Sequence, residues 1–131
     1  MSTRPAGTPG GASSLSAMRL GAIDVGSNTV RLLVADVIGG GKWRIADQDQ
    51  TITRLGENLA RTGALGDVPM ARTLAAVRDY VTRGARLGAS EIRIVATSAV
   101  REASNGRAFA AAGELATGQR VNVVRGAMSF S

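Results

Sequence analysis

Hydrophobic positions in the first half of the chain predict three β-strands joined by tight turns. Structure is predicted to begin at Met18, where an apolar run over residues 20–25 leads into a polar turn. A nearly continuous, β-branched run over 30–37 is typical of a strand buried on both faces, and three glycines at 39–41 end it. Residues 42–55 alternate and are more polar, which favours a third strand near the sheet edge. The pattern therefore predicts an antiparallel meander.

The stretch that follows has the pattern of an amphipathic helix. Asp67 is the predicted N-cap, Pro69 fits the first turn because its missing N–H costs little there, and Gly88 can end the helix. Apolar residues recur every three to four positions, as expected for one buried stripe. The predicted stripe consists of Met70, Leu74, Val77 and Val81.

The remaining residues alternate between strand and helix patterns. Residues 91–96 are a predicted strand, and a helix is predicted to start directly after it. That helix breaks near residue 104 and restarts over 107–117, before a last strand at 121–124. This order predicts an α/β fold with a mixed five-stranded sheet that changes from antiparallel to parallel, with right-handed crossovers in the parallel part. It is the order of a ribonuclease-H-like lobe.

Composition limits both the core and the chemistry. A chain of 131 residues fits one domain, and 44% hydrophobic but only 3% aromatic residues mean a core of Ala, Val, Ile and Leu, as in a sheet covered by helices. The sequence has no cysteine and no histidine, which excludes disulfides, thiolate zinc sites, histidine bases and every Ser-His-Asp triad. Any chemistry must therefore use carboxylates, hydroxyls, Lys, Arg, backbone amides or a metal bound by oxygen.

The formal charge of +6 favours an anionic partner, although a solvated basic surface would give the same balance. Specific nucleic-acid binding is not expected, because so few aromatic residues leave little on which bases can stack. Residues 1–17 are rich in Gly, Ser, Thr and Pro and lack the apolar run of a signal peptide or membrane span. They predict a disordered tail on a cytoplasmic protein that has no membrane partner.

The turn that follows the first strand is the first candidate site. Gly26 permits backbone conformations in which successive N–H groups converge on an oxyanion, and Ser27 and Asn28 add short polar side chains. Asp24, just before the turn, can hold Mg²⁺ directly or through water and so offset the charge of a bound phosphate. An ordinary hairpin whose polar residues satisfy their own backbone explains the same residues.

A second candidate site directly follows the fourth strand, at residues 97–101. Arg101 is predicted in the first helical turn, where a cation opposes the helix dipole, and this suggests an anion held by Arg101 and free amides together. Pairing of Arg101 with Glu102, or exposure to solvent, is the alternative. Both sites follow strand ends that are expected to open toward one crevice.

Residues 22–35 and 96–106 together resemble the exopolyphosphatase/guanosine pentaphosphate phosphatase family. The segment Arg-Leu-Gly-Glu-Asn-Leu at 54–59 is similar to that family's Arg-Leu-Gly-Glu-Gly-Leu segment, and the approach to the last strand matches as well. The resemblance runs from about residue 19 to about residue 126 in several ordered blocks, which is more specific than any single motif.

This resemblance implies one lobe of an actin-like, two-lobed phosphatase. Such enzymes release terminal phosphate from inorganic polyphosphate, or the 5′-phosphate from guanosine pentaphosphate, with Mg²⁺, and full-length members are expected to be homodimers. By the family pattern Asp24 positions metal or water, and the first phosphate loop comprises Gly26, Ser27 and Asn28. The expected contacts to the phosphate chain are Arg31, Arg54 and Arg101.

The resemblance covers the lobe at 18–126 and is lost over residues 127–131. Where the family continues with a run of glutamates, one of them the water-activating base, this chain has Ala127, Met128 and Ser129. The second, Gly-rich phosphate loop and the second lobe are also missing from the sequence. A truncated or frame-shifted gene copy, or a chain cut short, is therefore expected, inactive by itself and prone to self-association through an uncovered sheet face.

Two other functions remain open at this point. One is a non-catalytic phosphate- or nucleotide-binding module of the actin-like fold, which would keep the first phosphate loop without turnover. The other is a relative of sugar kinases or chaperone ATPases, which share the turn after the first strand but not the Thr-Ser-Ala-Val-Arg block at residues 97–101.

Overall fold

The computed structural model describes residues 18–124, so the predicted tail at 1–17 and the divergent end at 127–131 lie outside the described residues. The described elements are, in order, β1 (Met18–Val25), β2 (Thr29–Gly39), β3 (Lys42–Ile52), α1 (Leu59–Thr62), α2 (Asp67–Arg86), β4 (Glu91–Ala96), α3 (Ser98–Glu102), α4 (Gly106–Thr117) and β5 (Val121–Val123). Within this range no helix is long and apolar enough to cross a membrane.

The strands form one mixed five-stranded sheet in the order β3-β2-β1-β4-β5. β1, β2 and β3 pair antiparallel, whereas β4 is parallel to both β1 and β5. The predicted meander and mixed sheet are therefore confirmed. β3 is an edge strand and ends at Ile52, earlier than predicted, because Leu55 is a fully buried anchor of the following loop rather than a strand residue.

Among residues 18–124, the core lies on one face of the sheet. Ile23, Val30, Val34 and Ile94 are each 0% exposed beneath the helices. The alternate residues of β2, beginning with Arg31, point to the other face and are half-buried or exposed. The prediction that β2 is buried on both faces is therefore wrong. A nearly continuous apolar run shows that both faces are largely apolar, but it cannot show that both are covered.

Helix α2 begins one residue earlier than predicted, with Gly66 as N-cap and Asp67 in the first turn, where its charge suits the helix dipole. Its buried stripe is also rotated relative to the prediction, and Met70, Leu74 and Val81 flank it half-buried. The buried residues are Pro69, Thr73, Ala76, Val77, Tyr80 and Gly84. Polar Thr73 can be buried because its hydroxyl donates to the carbonyl of Pro69 at 2.8 Å.

Side chains of α2 hold the otherwise exposed edge strand β3. The Arg83 guanidinium donates to Asp47 at 2.8 Å and to Asp49 at 2.7 Å, and the hydroxyls of Tyr80 and Thr51 are 2.8 Å apart. The hydrogen bond from Arg83 is the main cause that lowers the pKa of each carboxyl. This helix–strand contact therefore depends on ionised carboxylates.

Helices α3 and α4 are separated by a sharp break at the position predicted for a restart. The Asn105 side chain is bonded in both directions to the backbone of Leu65, at 2.8 and 3.0 Å. Gly106 opens α4 so close to α3 that a Cβ there would lie 1.8 Å from the Val100 carbonyl oxygen. Gly118 ends α4 in a left-handed conformation, as predicted.

Candidate functional site

The loop between β1 and β2 is short and braced through its carbonyl groups. The Gly26 N–H donates to the Thr29 carbonyl at 3.0 Å and closes the turn. The carbonyl of Asn28 accepts from the loop that follows β3, and the carbonyl of Ser27 accepts from the Gly56 N–H at 2.8 Å. The amides of Ser27 and Asn28 donate no hydrogen bond within the described chain, and both side chains are exposed. The loop thus offers donors rather than acceptors to a ligand.

The second wall of the site is the loop at residues 53–58, which packs directly on the first. The amides of Thr53 and Arg54 both donate to the Asn28 carbonyl at 3.0 Å. A Cβ on Gly56 would lie 3.2 Å from the Ser27 Cβ and 3.6 Å from the Ala99 Cβ, so a glycine permits this close approach. The two loops and the start of α3 therefore form one packed unit.

The two loops enclose an open cleft of about 420 Å³. Ser27, Asn28 and Arg54 contribute polar side chains to its walls. Arg54 has φ 52° and Asn58 has φ 67°, which are left-handed conformations. This conformation costs a residue such as Arg54 about 1–2 kcal/mol, whereas asparagine adopts it more readily. Such outliers occur most often at ligand clamps, and at Arg54 the two bonded loops enforce it.

Two carboxylates also line this cleft, and each of them contacts an arginine. Glu57 is paired with Arg72 of α2, and Glu102 lies 3.4 Å from Arg101. Arg72 also donates to the carbonyl of Thr53 at 3.0 Å, so it fixes the base of the second loop. The sequence analysis did not identify Arg72 as part of a site. The proximity of a Glu and an Arg 15 residues apart leaves no periodic signal in the sequence.

Asp24 and Arg31 lie outside the cleft lining, next to each other on the sheet face away from the core. They are paired in the β1–β2 register, which puts their Cβ atoms about 4.5–5.5 Å apart. The Asp24 Oδ1 atom is buried and has no hydrogen-bond partner among residues 18–124. A buried oxygen without a partner is costly unless a ligand supplies one.

This orphaned oxygen fits Mg²⁺, which prefers oxygen ligands and is often bound by one or two carboxylates with water and substrate phosphates completing its shell. The described residues contain no group of three or more carboxylates that would form an all-protein cage. Asp24 would therefore be the protein ligand of a metal that is otherwise held by water and phosphate.

Arg101 lies in a different place from the one that sequence reasoning expected. Helix α3 is only five residues long, so Arg101 falls in its last turn, where a cation suits the dipole. The argument for a bound anion from an unfavourable charge position is therefore wrong. The guanidinium donates to the carbonyl of Val124 at 3.1 Å and lines a second cavity with Ser104 and Arg107. Arg101 borders the cleft only through its neighbour Glu102.

Comparison with known proteins adds to this geometry. The model of the Ppx/GppA phosphatase family matches residues 33–128, which is most of the chain. The chain belongs to this family. Its resemblance to exopolyphosphatases and guanosine pentaphosphate phosphatases is thereby confirmed.

Several Ppx/GppA relatives are similar over most of this chain. Exopolyphosphatase 2 of Mycobacterium tuberculosis is 38% identical over 94 residues, covering 70% of this chain and 30% of that protein. A guanosine-5′-triphosphate,3′-diphosphate pyrophosphatase of Pseudoalteromonas translucida is 34% identical over 104 residues, covering 79% and 21%. A crystal structure of the Aquifex aeolicus family member is 31% identical with a TM-score of 0.79, covering 84% of this chain and 36% of that one.

These Ppx/GppA neighbours confirm the fold class as the ribonuclease-H-like lobe of an actin-like protein, with a mixed five-stranded sheet and helices. The chain spans about a third of the length of the curated relatives it matches first. What it shares with them is therefore one lobe.

Proposed function

We propose that this lobe binds the phosphate chain of inorganic polyphosphate or guanosine pentaphosphate, as part of a Mg²⁺-dependent phosphoanhydride hydrolase. Relatives named exopolyphosphatase and guanosine-5′-triphosphate,3′-diphosphate pyrophosphatase support both substrates. The observation that carries the proposal is the pair of bonded loops at 26–28 and 53–58, which combine free amides with a strained arginine.

Each side chain has a distinct part in this binding. The amides and side chains of Ser27 and Asn28 would donate to one phosphoryl group, with Gly26 shaping the loop. Arg54 would contact the next phosphate along the chain, and its backbone is already held beside the first loop by the hydrogen bond from its amide to the Asn28 carbonyl. Arg31 and Arg101 add positive charge on either side of the loops, which attracts a polyanion over longer range.

Asp24 would hold the metal through its unpartnered Oδ1 atom. A bound Mg²⁺ would supply charge neutralisation to a phosphate chain at this end of the sheet. Because phosphoryl transfer depends on positioning and neutralisation, loss of Asp24 is expected to weaken binding in the presence of Mg²⁺ and to matter little without it.

We expect this chain to bind the phosphate chain without turnover. A general base must be free to take a proton from the attacking water. Both carboxylates of the cleft, Glu57 and Glu102, already have one oxygen each in contact with an arginine. Phosphate release from polyphosphate should therefore stay at the level of an Asp24→Asn control. The alternative function, a non-catalytic phosphate-binding module, makes the same prediction for this chain. The two functions differ only in whether a longer protein would hydrolyse the bound substrate.

The test is binding of a short inorganic polyphosphate, measured by titration calorimetry with and without Mg²⁺. Arg54→Gly removes the guanidinium and relieves the left-handed strain, so it should weaken binding at least tenfold while leaving the protein as stable as before or more stable. Asn58→Gly is the matched control, because it relieves strain in the same loop without altering the cleft lining.

Three results would each refute part of the proposal. Equal affinity of the Arg54→Gly and Asn58→Gly proteins would mean that the cleft does not hold the anion. An unchanged effect of Mg²⁺ in Asp24→Asn would remove Asp24 from the metal site. Low affinity in every protein at 0.15 M salt, with binding only at low ionic strength, would reduce the interaction to the net charge of the surface.

A further inference from the structure

The peptide unit between Thr53 and Arg54 joins the two walls of the cleft to helix α2. Its N–H group, which belongs to Arg54, donates to the Asn28 carbonyl of the first loop at 3.0 Å. Its carbonyl group, which belongs to Thr53, accepts from the Arg72 Nε atom of α2 at 3.0 Å. The N–H and C=O groups of a trans peptide point in opposite directions. One peptide plane is therefore held from both sides, by the first loop and by the helix.

The backbone of Arg54 favours a different orientation of this peptide. A rotation of the peptide plane by about 180° changes φ of the following residue from positive to negative, as type II and type I turns show with φ of about +80° and −90°. Arg54 has φ 52°, and a residue with a Cβ gains free energy when φ becomes negative. The left-handed conformation therefore drives the peptide to rotate, and the two hydrogen bonds oppose that rotation.

Of these two hydrogen bonds, the one from Arg72 is the stronger. Its donor is a charged guanidinium, and hydrogen bonds with one ionised partner are roughly twice as strong as neutral ones. The Asn28 carbonyl also accepts from the Thr53 amide at 3.0 Å, so it keeps a partner when the Arg54 amide turns away. A neutral hydrogen bond is comparable in free energy to the strain at Arg54. Without Arg72, both orientations of the peptide would be populated.

Glu57 holds the Arg72 guanidinium in the place that this contact requires. The Glu57 carboxylate contacts the Arg72 Nη2 atom, and the Glu57 amide donates to the Arg54 carbonyl at 3.0 Å. Arg72 thus bridges the peptide before Arg54 and the side chain three residues after it. Among residues 18–124, no other side chain donates a hydrogen bond to residues 53–57.

We propose that Arg72 is a positioning residue of the phosphate-binding cleft, which keeps the peptide of Thr53 and Arg54 turned with its N–H group toward the first loop. This inference rests on the proposed function, because it concerns the same cleft. Arg72 itself does not line the cleft, so it acts through the peptide.

The rotated peptide would separate the two walls of the cleft. It would turn the Thr53 carbonyl toward the Asn28 carbonyl, and two carbonyl oxygens repel each other. The amides of the first loop and the Arg54 guanidinium would then no longer be held at a fixed spacing. A phosphate chain that contacts both walls would bind less tightly, because the cleft must be ordered again on binding.

Amide hydrogen exchange of the full 131-residue chain, followed by NMR, measures the orientation of this peptide. In Arg72→Gln, protection of the Arg54 amide should fall at least tenfold relative to that of Ile94, a buried residue of β4 that reports opening of the whole sheet. Arg78→Gln is the matched control, because Arg78 is an exposed residue of the same helix and its replacement removes the same charge. It should leave the ratio unchanged.

A glycine at position 54 separates positioning from a general loss of structure. Glycine adopts positive φ readily, so Arg54→Gly removes the preference for the rotated peptide. In the double variant R54G/R72Q, the amide at position 54 should be protected to within about threefold of its protection in Arg54→Gly alone. If Arg72 supported the loop only by packing, its loss would loosen the loop equally in both proteins.

Titration with a short inorganic polyphosphate in the presence of Mg²⁺ links this orientation to binding. Arg72→Gln should raise the dissociation constant at least fivefold more than Arg78→Gln does. Equal dissociation constants for these two variants, while Arg54→Gly binds more weakly than Asn58→Gly, would overturn the positioning role and leave the proposed function standing. Equal affinity of Arg54→Gly and Asn58→Gly would remove the proposed function and this inference with it. An unchanged exchange ratio in Arg72→Gln, or an unprotected amide in the double variant, would overturn the positioning role whatever the affinities are.

Discussion

Replacement of Gly106 by alanine should be among the most damaging single-methyl changes in this protein. Gly106 opens α4 directly against α3, and a Cβ there would lie 1.8 Å from the Val100 carbonyl oxygen and 2.9 Å from its carbon. An unstrained carbon–oxygen contact is about 3.3–3.6 Å, so one of the two helices must move by roughly 1.5 Å. The obstacle is backbone, which cannot turn away as the end of a flexible side chain can.

The expected loss of stability follows from these distances. Overpacking usually costs about 1–3 kcal/mol, and a backbone clash belongs at or above the upper end of that range. Alanine regains at most about 1 kcal/mol of helix propensity, and less at a helix start. A net loss of about 3 kcal/mol is therefore expected, which corresponds to a fall in Tm of roughly 10–20 °C for a domain of this size.

Gly113→Ala in the same helix is the control. Its Cβ would lie 3.3 Å from a Val121 methyl group and 3.7 Å from a Leu74 methyl group, contacts that small side-chain shifts can relieve. Its free energy of unfolding should stay within about 1 kcal/mol of the unmodified protein, because helix propensity offsets the tight contact. Urea unfolding followed by circular dichroism compares the two variants. If Gly106→Ala unfolds at the same urea concentration as Gly113→Ala, the close approach of α3 and α4 is not a constraint on stability.

Two further predictions concern the contact between α2 and the edge strand. The pKa values of Asp47 and Asp49 are lowered by Arg83, so their stabilising effect is full above the unfolded-state pKa of about 4 and is lost as pH falls through the lower folded values. In Arg83→Gln, the free energy of unfolding measured by urea titration should therefore fall less steeply as pH drops below 4. The same pH dependence in the variant and the unmodified protein would contradict this. Tyr80→Phe should lower the free energy of unfolding by about 1 kcal/mol at every pH, because it removes a neutral hydrogen bond to Thr51. The loss of stability below pH 4 should keep its slope. A double-mutant cycle with Thr51→Val that gives no coupling energy would refute that assignment.

Local patterns were enough to predict the meander, the mixed sheet and the break before α4. Strand alternation, consecutive glycines and the helix-ending Gly118 all act through the backbone of a few neighbouring residues. The buried stripe of α2 was misplaced because Thr73 and Tyr80 are buried through hydrogen bonds, which a hydrophobic pattern does not register. Helix α1 was missed because four residues are too short for any periodicity.

The candidate site, like the fold, could be predicted from the sequence only in part. The turn at 26–28 could be identified from its residue types, since small and polar residues after a strand favour it. The left-handed conformation of Arg54 could not, because it is imposed by bonds to Asn28, which lies far away in sequence. The position of Arg101 depended on where α3 ends, and helix ends are the least predictable feature of a helix.

The central position of β1 in the sheet has a consequence for synthesis on the ribosome. β1 is the first described strand to be made, and β2 and β3 can pair with it in turn as they emerge. Its parallel neighbour β4 begins at Glu91, about 65 residues after β1 ends, which at about 5–20 residues per second is a delay of roughly 3–13 s. During that interval the nascent meander presents an unpaired edge of β1, the most buried strand position of the finished sheet. A chaperone that shields strand edges would act on this protein before β4 has left the exit tunnel.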